Sequence, residues 1–332
     1  MNATRAYLPA VALLLLAGLI PVLVAANTVL NFIVFTLIIA LAAQGWNLLG
    51  GFGGQFSFGH AAFFGTGAYA TAILQARYGV NAWAGFAIGI ALSAAVGWMI
   101  GYLSFRSGLR GSYFALVTLA FAEVFRILAN ASAFTGGAAG TLVRLDMRPE
   151  NFQFASRAVF VWIALALVGF VLIMTIAIGR ARFGAWLAAV RENEDAARAL
   201  GVDVLGVKLK AITLSAGVTG AAGALYVQYY LYLDANIAYG AWISVEALIA
   251  PIIGGIGTPL GPVIGAVTLH GLGELTKLFA GRIPGIDLVI YGALLVAAIA
   301  FAPDGIMGLL RKAQRRKDAD KATDQNVTEG TL

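Results

Sequence analysis

Apolar positions along the chain come in long runs. Residues 161–179, VWIALALVGFVLIMTIAIG, carry no charge at all. They show neither the alternation of a half-buried strand nor the three-and-four spacing of a surface helix. Runs near 20 residues recur from one end to the other, the length a helix needs to cross about 30 Å of hydrocarbon. A membrane barrel would instead alternate in segments of about ten residues. The pattern predicts an all-α polytopic membrane protein with about ten transmembrane helices, at 8–26, 28–49, 55–75, 82–105, 112–130, 158–179, 207–231, 243–256, 262–280 and 286–303. The first run resembles a signal peptide, but its apolar stretch of about 19 residues exceeds the usual 7–15, so it is read as a retained span. One transmembrane domain covers 1–306, interrupted by a long external loop (131–157) and a charged internal loop (180–206). Residues 307–332 form a basic tail expected to be disordered.

Two places break the apolar pattern with glycine. NLLGGFGGQFSFGHAAFFGTGAY, residues 47–69, holds seven glycines, and IIGGIGTPLGPVIGAV, residues 252–267, repeats the Gly-Gly-x-Gly signature. Lipid cannot satisfy the backbone groups that such a break frees, so it is tolerated only against protein or water. Paired Gly/Pro-interrupted segments in two halves point to a translocation site between structural repeats. The expected pathway residues are Gly51, Gly53, Gly54, Gln55, Ser57 and His60 in the first break, with Gly254, Gly255, Gly257 and Thr258 in the second. The breaks suggest discontinuous helices in a two-fold internal repeat. Ala61, Gly65, Ala68 and Ala72 form a small-residue face for close helix packing.

Composition agrees with the membrane reading: 60% of the 332 residues are hydrophobic and 11% charged, about half the soluble average. No cysteine is present, which excludes disulfides and thiolate chemistry, and two histidines leave little for a metal site. The net charge of +6 lies in short loops and the tail, so it marks sidedness and not nucleic-acid binding. With the N-terminus inside and ten crossings, 15 basic residues fall inside and 5 outside. Both termini are therefore expected in the cytoplasm.

Within the internal loop, Asn193 to Gly201 reads as a complete short helix. Asn193 caps it, Glu194 and Asp195 complement its dipole, and Gly201 ends it. Two turns are marginal in water, so the membrane domain or a partner should hold them. Charged pairs at i, i+3 spacing, Glu123 with Arg126 and Glu274 with Lys277, are expected to pair along one helical face. His60 and Glu246 lie near the two breaks.

Asp195-Ala196-Ala197, three residues and Gly201 resemble the E-A-A-x-x-x-G loop by which importer permeases dock onto their ATPases, with Asp in place of Glu. The blocks QFSFGHAAFFGTGAY (55–69), GLRGSYFALVTLAFAEVFR (108–126), TGGAAG (135–140), VRENEDAARALGVD (190–203) and GGIGTPLGPVIGA (254–266) resemble the LivM-type permease of branched-chain amino acid ABC importers. Pro251 and Asp304 depart from that pattern. The resemblance implies a non-catalytic permease subunit in a bacterial inner membrane. It implies a homologous LivH-like partner, two cytoplasmic ATPases that bind ATP and Mg, and an external substrate-binding protein. It also makes Asn193, Glu194, Asp195, Ala196, Ala197, Leu200 and Gly201 the coupling residues. A bulky charge at Gly201 or Ala197 is expected to abolish transport without affecting insertion. Independently of the resemblance, no lysine follows a glycine, so the phosphate-binding loop is absent and no ATP site is expected in this chain. A proton-coupled transporter using Glu123, Glu246 or Glu274 and a passive channel remain alternatives, as do urea and short amides for substrate.

Overall fold

The computed structural model describes residues 3–24 and 26–280, then residues 286, 289, 290, 292, 293, 296, 300, 304–310 and 312. Most of the tenth expected crossing, 286–303, and the tail from 313 onward lie outside the described residues. The helices before the first break are α1 (Ala3–Leu23) and α2 (Asn27–Trp46), and α2 runs on as a π-turn, Asn47–Phe52. After it come α3 (His60–Tyr78), α4 (Ala82–Arg106), α5 (Gly111–Ala131) and α6 (Arg157–Arg180). Two short helices follow, α7 (Arg182–Glu192) and α8 (Glu194–Ala199). The chain then forms α9 (Val204–Tyr230), α10 (Ala235–Tyr239), α11 (Ala241–Gly254) and α12 (Gly261–Ala280).

Six helical stretches among the described residues are long and apolar enough to cross a membrane: Asn27–Phe52, Ala82–Arg106, Gly111–Ala131, Arg157–Arg180, Val204–Tyr230 and Ala235–Gly254. The chain is an all-α, multi-pass membrane protein. The third helix starts at His60 and not near 55, because Gly53 to Gly59 run as irregular chain between two helices. The charged loop holds a second helix that its polarity hid: α7 buries Leu187 and Val190 and leaves its charges outside.

The core is built on three helices whose backbones nearly touch. α3 and α9 run parallel, joined by His60 to Ser215 at one end and Gln75 to Gln228 at the other. A methyl group on Gly67 would land on the Gly220 backbone, and one on Gly223 on the Phe64 carbonyl. α4 packs across both with a small residue every fourth position: Gly85, Gly89, Ser93, Gly97 and Gly101. Ser93 Oγ donates to Phe63 O at 2.9 Å, within the seam. In lipid this close approach supplies the packing and polar contacts that hydrophobic burial supplies in water. The face expected on α3 is buried too, with Gly65 against the Tyr239 ring.

At one end of the bundle, segment 131–157 is ordered. Arg77 Nη2 donates to Ala133 O at 2.7 Å and Trp83 Nε1 to Pro149 O at 2.9 Å. Strand β1 (Thr141–Leu142) pairs antiparallel with β2 (Tyr232–Leu233). Segment 180–206 meets the opposite ends of the same helices.

Candidate functional site

The first break is a folded structure and not a loose linker. The π-turn places Gly50 flat on the fully buried Trp46 ring, where a side chain would collide. Trp46 Nε1 donates to Ser57 O at 2.8 Å, Gln55 Nε2 to Gly53 O at 3.2 Å, and the Phe58 amide to Thr118 Oγ1 at 3.2 Å. Side chains thus take over hydrogen bonds that a continuous helix would make internally. Along this segment Gln55 and Ser57 are buried while Phe56 and Phe58 face outward.

The second break is fixed in the same way. Thr258 Oγ1 donates to Gly255 O at 2.7 Å and accepts from the Gly261 amide at 3.1 Å, capping α12. Gly255 and Gly257 take φ of 124° and 69°, a region that side-chain-bearing residues seldom adopt. Pro251 sits inside α11, and its carbonyl accepts from the Gly255 amide at 2.8 Å.

One amide joins the two breaks. Asn47, 1% exposed, accepts from the Gly257 amide through Oδ1 and donates through Nδ2 to Thr258 O, both at 2.9 Å. Next to it, a methyl group on Gly51 would lie 2.7 Å from the Gly257 nitrogen. The two glycine motifs, about 200 residues apart in sequence, are in backbone contact.

The charged segment docks onto this junction. Arg191 of α7 lays its stem across Gly54 and donates from Nη1 to Gly51 O at 3.2 Å. α8 is the expected short rod: Asn193 Oδ1 accepts from the Asp195 and Ala196 amides, each at 3.0 Å, and Gly201 takes a φ of 83° past its end. Glu194, expected to complement the dipole and to belong to the coupling loop, also anchors the rod to the bundle. Its carboxylate, 13% exposed, pairs with buried Lys208 of α9, with Arg110 Nε at 3.1 Å, and with Gln55 Nε2 at 3.4 Å. Lys208 also lies over the Phe105 ring, 4.8 Å from its centroid. Asp195 takes a bidentate contact from Arg110 and one bond from Arg198. The Arg110 hydrogen bonds hold the Asp195 carboxyl below its usual range and raise the guanidinium correspondingly.

The rod therefore has two faces. Ala197 is buried against the bundle, while Asp195, Ala196, Ala199 and Leu200 are exposed, Leu200 at 84%. Ala197 was expected to be a clean position for a disabling charge, but such a side chain would first disturb this chain's own packing. Of the expected pathway residues, Gln55, Ser57, His60, Gly254, Gly255 and Thr258 are all buried, with His60 Nε2 2.9 Å from Ser215 Oγ. Gly51, Gly53, Gly54 and Gly257 pack within the junction. A cavity of about 430 Å³ between Asn31, Phe160 and Tyr229, at the opposite end, contains none of them. Glu246 lies away from the junction and faces His270. The two i, i+3 pairs form: Arg126 Nε donates to Glu123 at 2.9 Å and Lys277 to Glu274 at 2.7 Å.

Sequence reasoning missed Asn47, Arg110, Arg191 and Lys208. Asn47 is a polar residue ending an apolar helix just before Gly-Gly, and that position was its only signal. The cations were counted for sidedness alone.

Residues 28–299 match the model of the branched-chain amino acid transport system permease component family. The chain is 29% identical to the high-affinity branched-chain amino acid transport permease protein LivM of Escherichia coli K12, over 93% of this chain and 76% of that protein. It is 26% identical to the LivH permease protein of the same organism, over 81% of this chain and 91% of that one. A probable LivM protein of Methanocaldococcus jannaschii is 24% identical, over 75% and 77%. No solved structure matches the chain.

Proposed function

The chain belongs to the branched-chain amino acid transport permease family, and on that premise we propose that it is one of two membrane subunits of an ATP-driven importer. The observation that carries the reading is the two-faced rod. Its inner face is bonded to the junction of the two helix breaks, and its outer face presents Leu200 and small side chains to the surface. A partner that grips the outer face would move the breaks directly.

In this mechanism two cytoplasmic ATPases bind ATP and Mg and close on each other, pushing residues 193–201. Glu194 passes the displacement to α9 through Lys208 and to α5 through Arg110. Gln55 and Arg191 pass it to the first break, and Asn47 carries it to the second. The glycine segments, Gly51 to His60 and Gly254 to Thr258, then line a path opened alternately to each side. They are closed and packed in the conformation described. A two-fold repeat built around the breaks would place that path between halves. Phe56, Phe58 and Ile256 project outward from the breaks, which suits an apolar contact with a homologous second permease. The basic residues favour cytoplasmic termini and rod in a bacterial inner membrane. Segment 131–157 would then face an external binding protein. The names of the relatives make leucine, isoleucine or valine the first substrates to test.

The test is uptake of labelled leucine by proteoliposomes holding the complete complex, with binding protein outside and ATP inside. Uptake that needs ATP and survives proton uncoupling supports the reading. Uptake driven by a proton gradient without ATP refutes it.

A further inference from the structure

Between α2, α11 and α12 lies a polar cluster that the junction does not use. The His270 side chain, 8% exposed, stacks on Phe35 with ring centroids 5.1 Å apart. Its Nδ1 is 3.0 Å from Thr36 Oγ1, and its Nε2 is 3.4 Å from Glu246 Oε2. Thr36 has one hydroxyl proton and donates it to Phe32 O at 2.8 Å. The threonine oxygen therefore meets the ring as an acceptor, and Nδ1 carries a hydrogen.

That assignment leaves the other side of the ring in conflict. Nε2 and Glu246 Oε2 are both buried, and neither has a hydrogen-bond partner among the described residues. A neutral ring protonated at Nδ1 would point a lone pair at a carboxylate oxygen, where low dielectric magnifies the repulsion. A single proton between the two atoms removes it. Whether the proton rests on nitrogen or oxygen, the pair is neutral overall, the form in which ionisable groups are tolerated inside a bilayer.

We infer that Glu246 and His270 share one proton, and that this neutral pair positions the α11–α12 hairpin on α2 for transport. The hairpin carries the second break at its closed end, where Gly265 lies against the Ala250 carbonyl and Asn47 of α2 clasps Gly257 and Thr258. Glu246 and His270 tie its two helices together farther along, and Thr36 attaches that point to α2 as well. Thr36 and Asn47 are 11 residues apart, about 16 Å along the helix. Held at two separate polar points, the hairpin follows α2 as one body when the junction moves.

The uptake arm rests on the importer reading; the resonance arm does not. Glu246→Gln places an amide N–H where the shared proton lies, so uptake by the full complex is expected within about threefold of wild type. Glu246→Leu and His270→Leu should lower the maximal rate about tenfold or more at unchanged KM. Glu246→Gln as inactive as Glu246→Leu would overturn the inference, since a transferable proton would then be needed. Glu246→Leu as active as wild type would overturn it too. With two histidines in the chain, ring ¹⁵N resonances of this full chain, labelled and purified by itself in detergent, are assignable through His270→Gln. The expected spectrum has Nδ1 protonated and Nε2 in a strong hydrogen bond; a ring with Nδ1 bare refutes the shared proton. Because the resonances are read whether or not the wild type transports, failure of the importer reading and failure of the pair are told apart.

Discussion

Replacing Glu194 by alanine should release the rod from the bundle. Its carboxylate neutralises Lys208, whose side chain is 5% exposed and lies over the Phe105 ring. Removing one member of a buried pair costs about 3–5 kcal/mol, because the other charge stays behind uncompensated. Glu194 is 13% exposed and Arg110 is half-exposed, so the lower end, about 3 kcal/mol, is the appropriate figure here. Each 1.4 kcal/mol is about tenfold, so the docked rod loses roughly 10²-fold in population. The assay is amide hydrogen exchange across 194–200 in the purified complex, read beside ATP-driven uptake. The Ala197 amide, which donates to Asn193 O at 3.0 Å, should exchange about 10²-fold faster while uptake falls. Adding Lys208→Met should recover most of the protection, since no orphan cation remains. Unchanged exchange in Glu194→Ala, or strictly additive single and double variants, would refute the account.

Leu200 is 84% exposed, so Leu200→Asp should leave stability within about 0.5 kcal/mol while the ATPases no longer copurify and uptake is lost. Asn47→Leu leaves the part-buried Gly257 amide and the buried Thr258 carbonyl unpaired, at about 1–3 kcal/mol each; the thermal midpoint should fall and uptake with it. Gly67→Val drives a side chain into the Gly220 backbone, and destabilisation of about 1–3 kcal/mol should appear in detergent melts. Acid should loosen the outer side of the rod only late. Arg110 depresses the Asp195 carboxyl, so its contribution is complete above the unfolded value near 3.9 and disappears as pH falls through the lower folded value. Exchange at 194–200 should therefore be flat from neutral pH down to about 4, after correction for intrinsic rates.

The six stretches long and apolar enough to cross were legible because apolar length is a crude signal that survives almost any packing detail. The short rod was legible for a different reason: Asn193, the two acids and Gly201 act within a few residues, and local chemistry is written locally. What joins the rod to the breaks was not legible. Glu194 and Lys208 are 14 positions apart and Asn47 and Gly257 are 210, and only the folded path brings them together. α7 escaped because its two buried residues, Leu187 and Val190, are too few to mark a face among arginines. The small stripe on α4 has a regular four-residue spacing in the sequence. Small residues scattered in an apolar run do not interrupt it, and only the approach of α3 and α9 gives the stripe its meaning.

The π-turn at Asn47–Phe52 stores slack. A wide turn accommodates one residue more than an α-turn of the same span, and it lies directly upstream of the Gly53 to Gly59 strip. Returning that residue to the ordinary ladder would draw the strip along by about 1.5 Å and rotate it by about 100°. The strip bearing buried Gln55 and Ser57 and exposed Phe56 and Phe58 is thus tethered to a turn that can take up or release one residue.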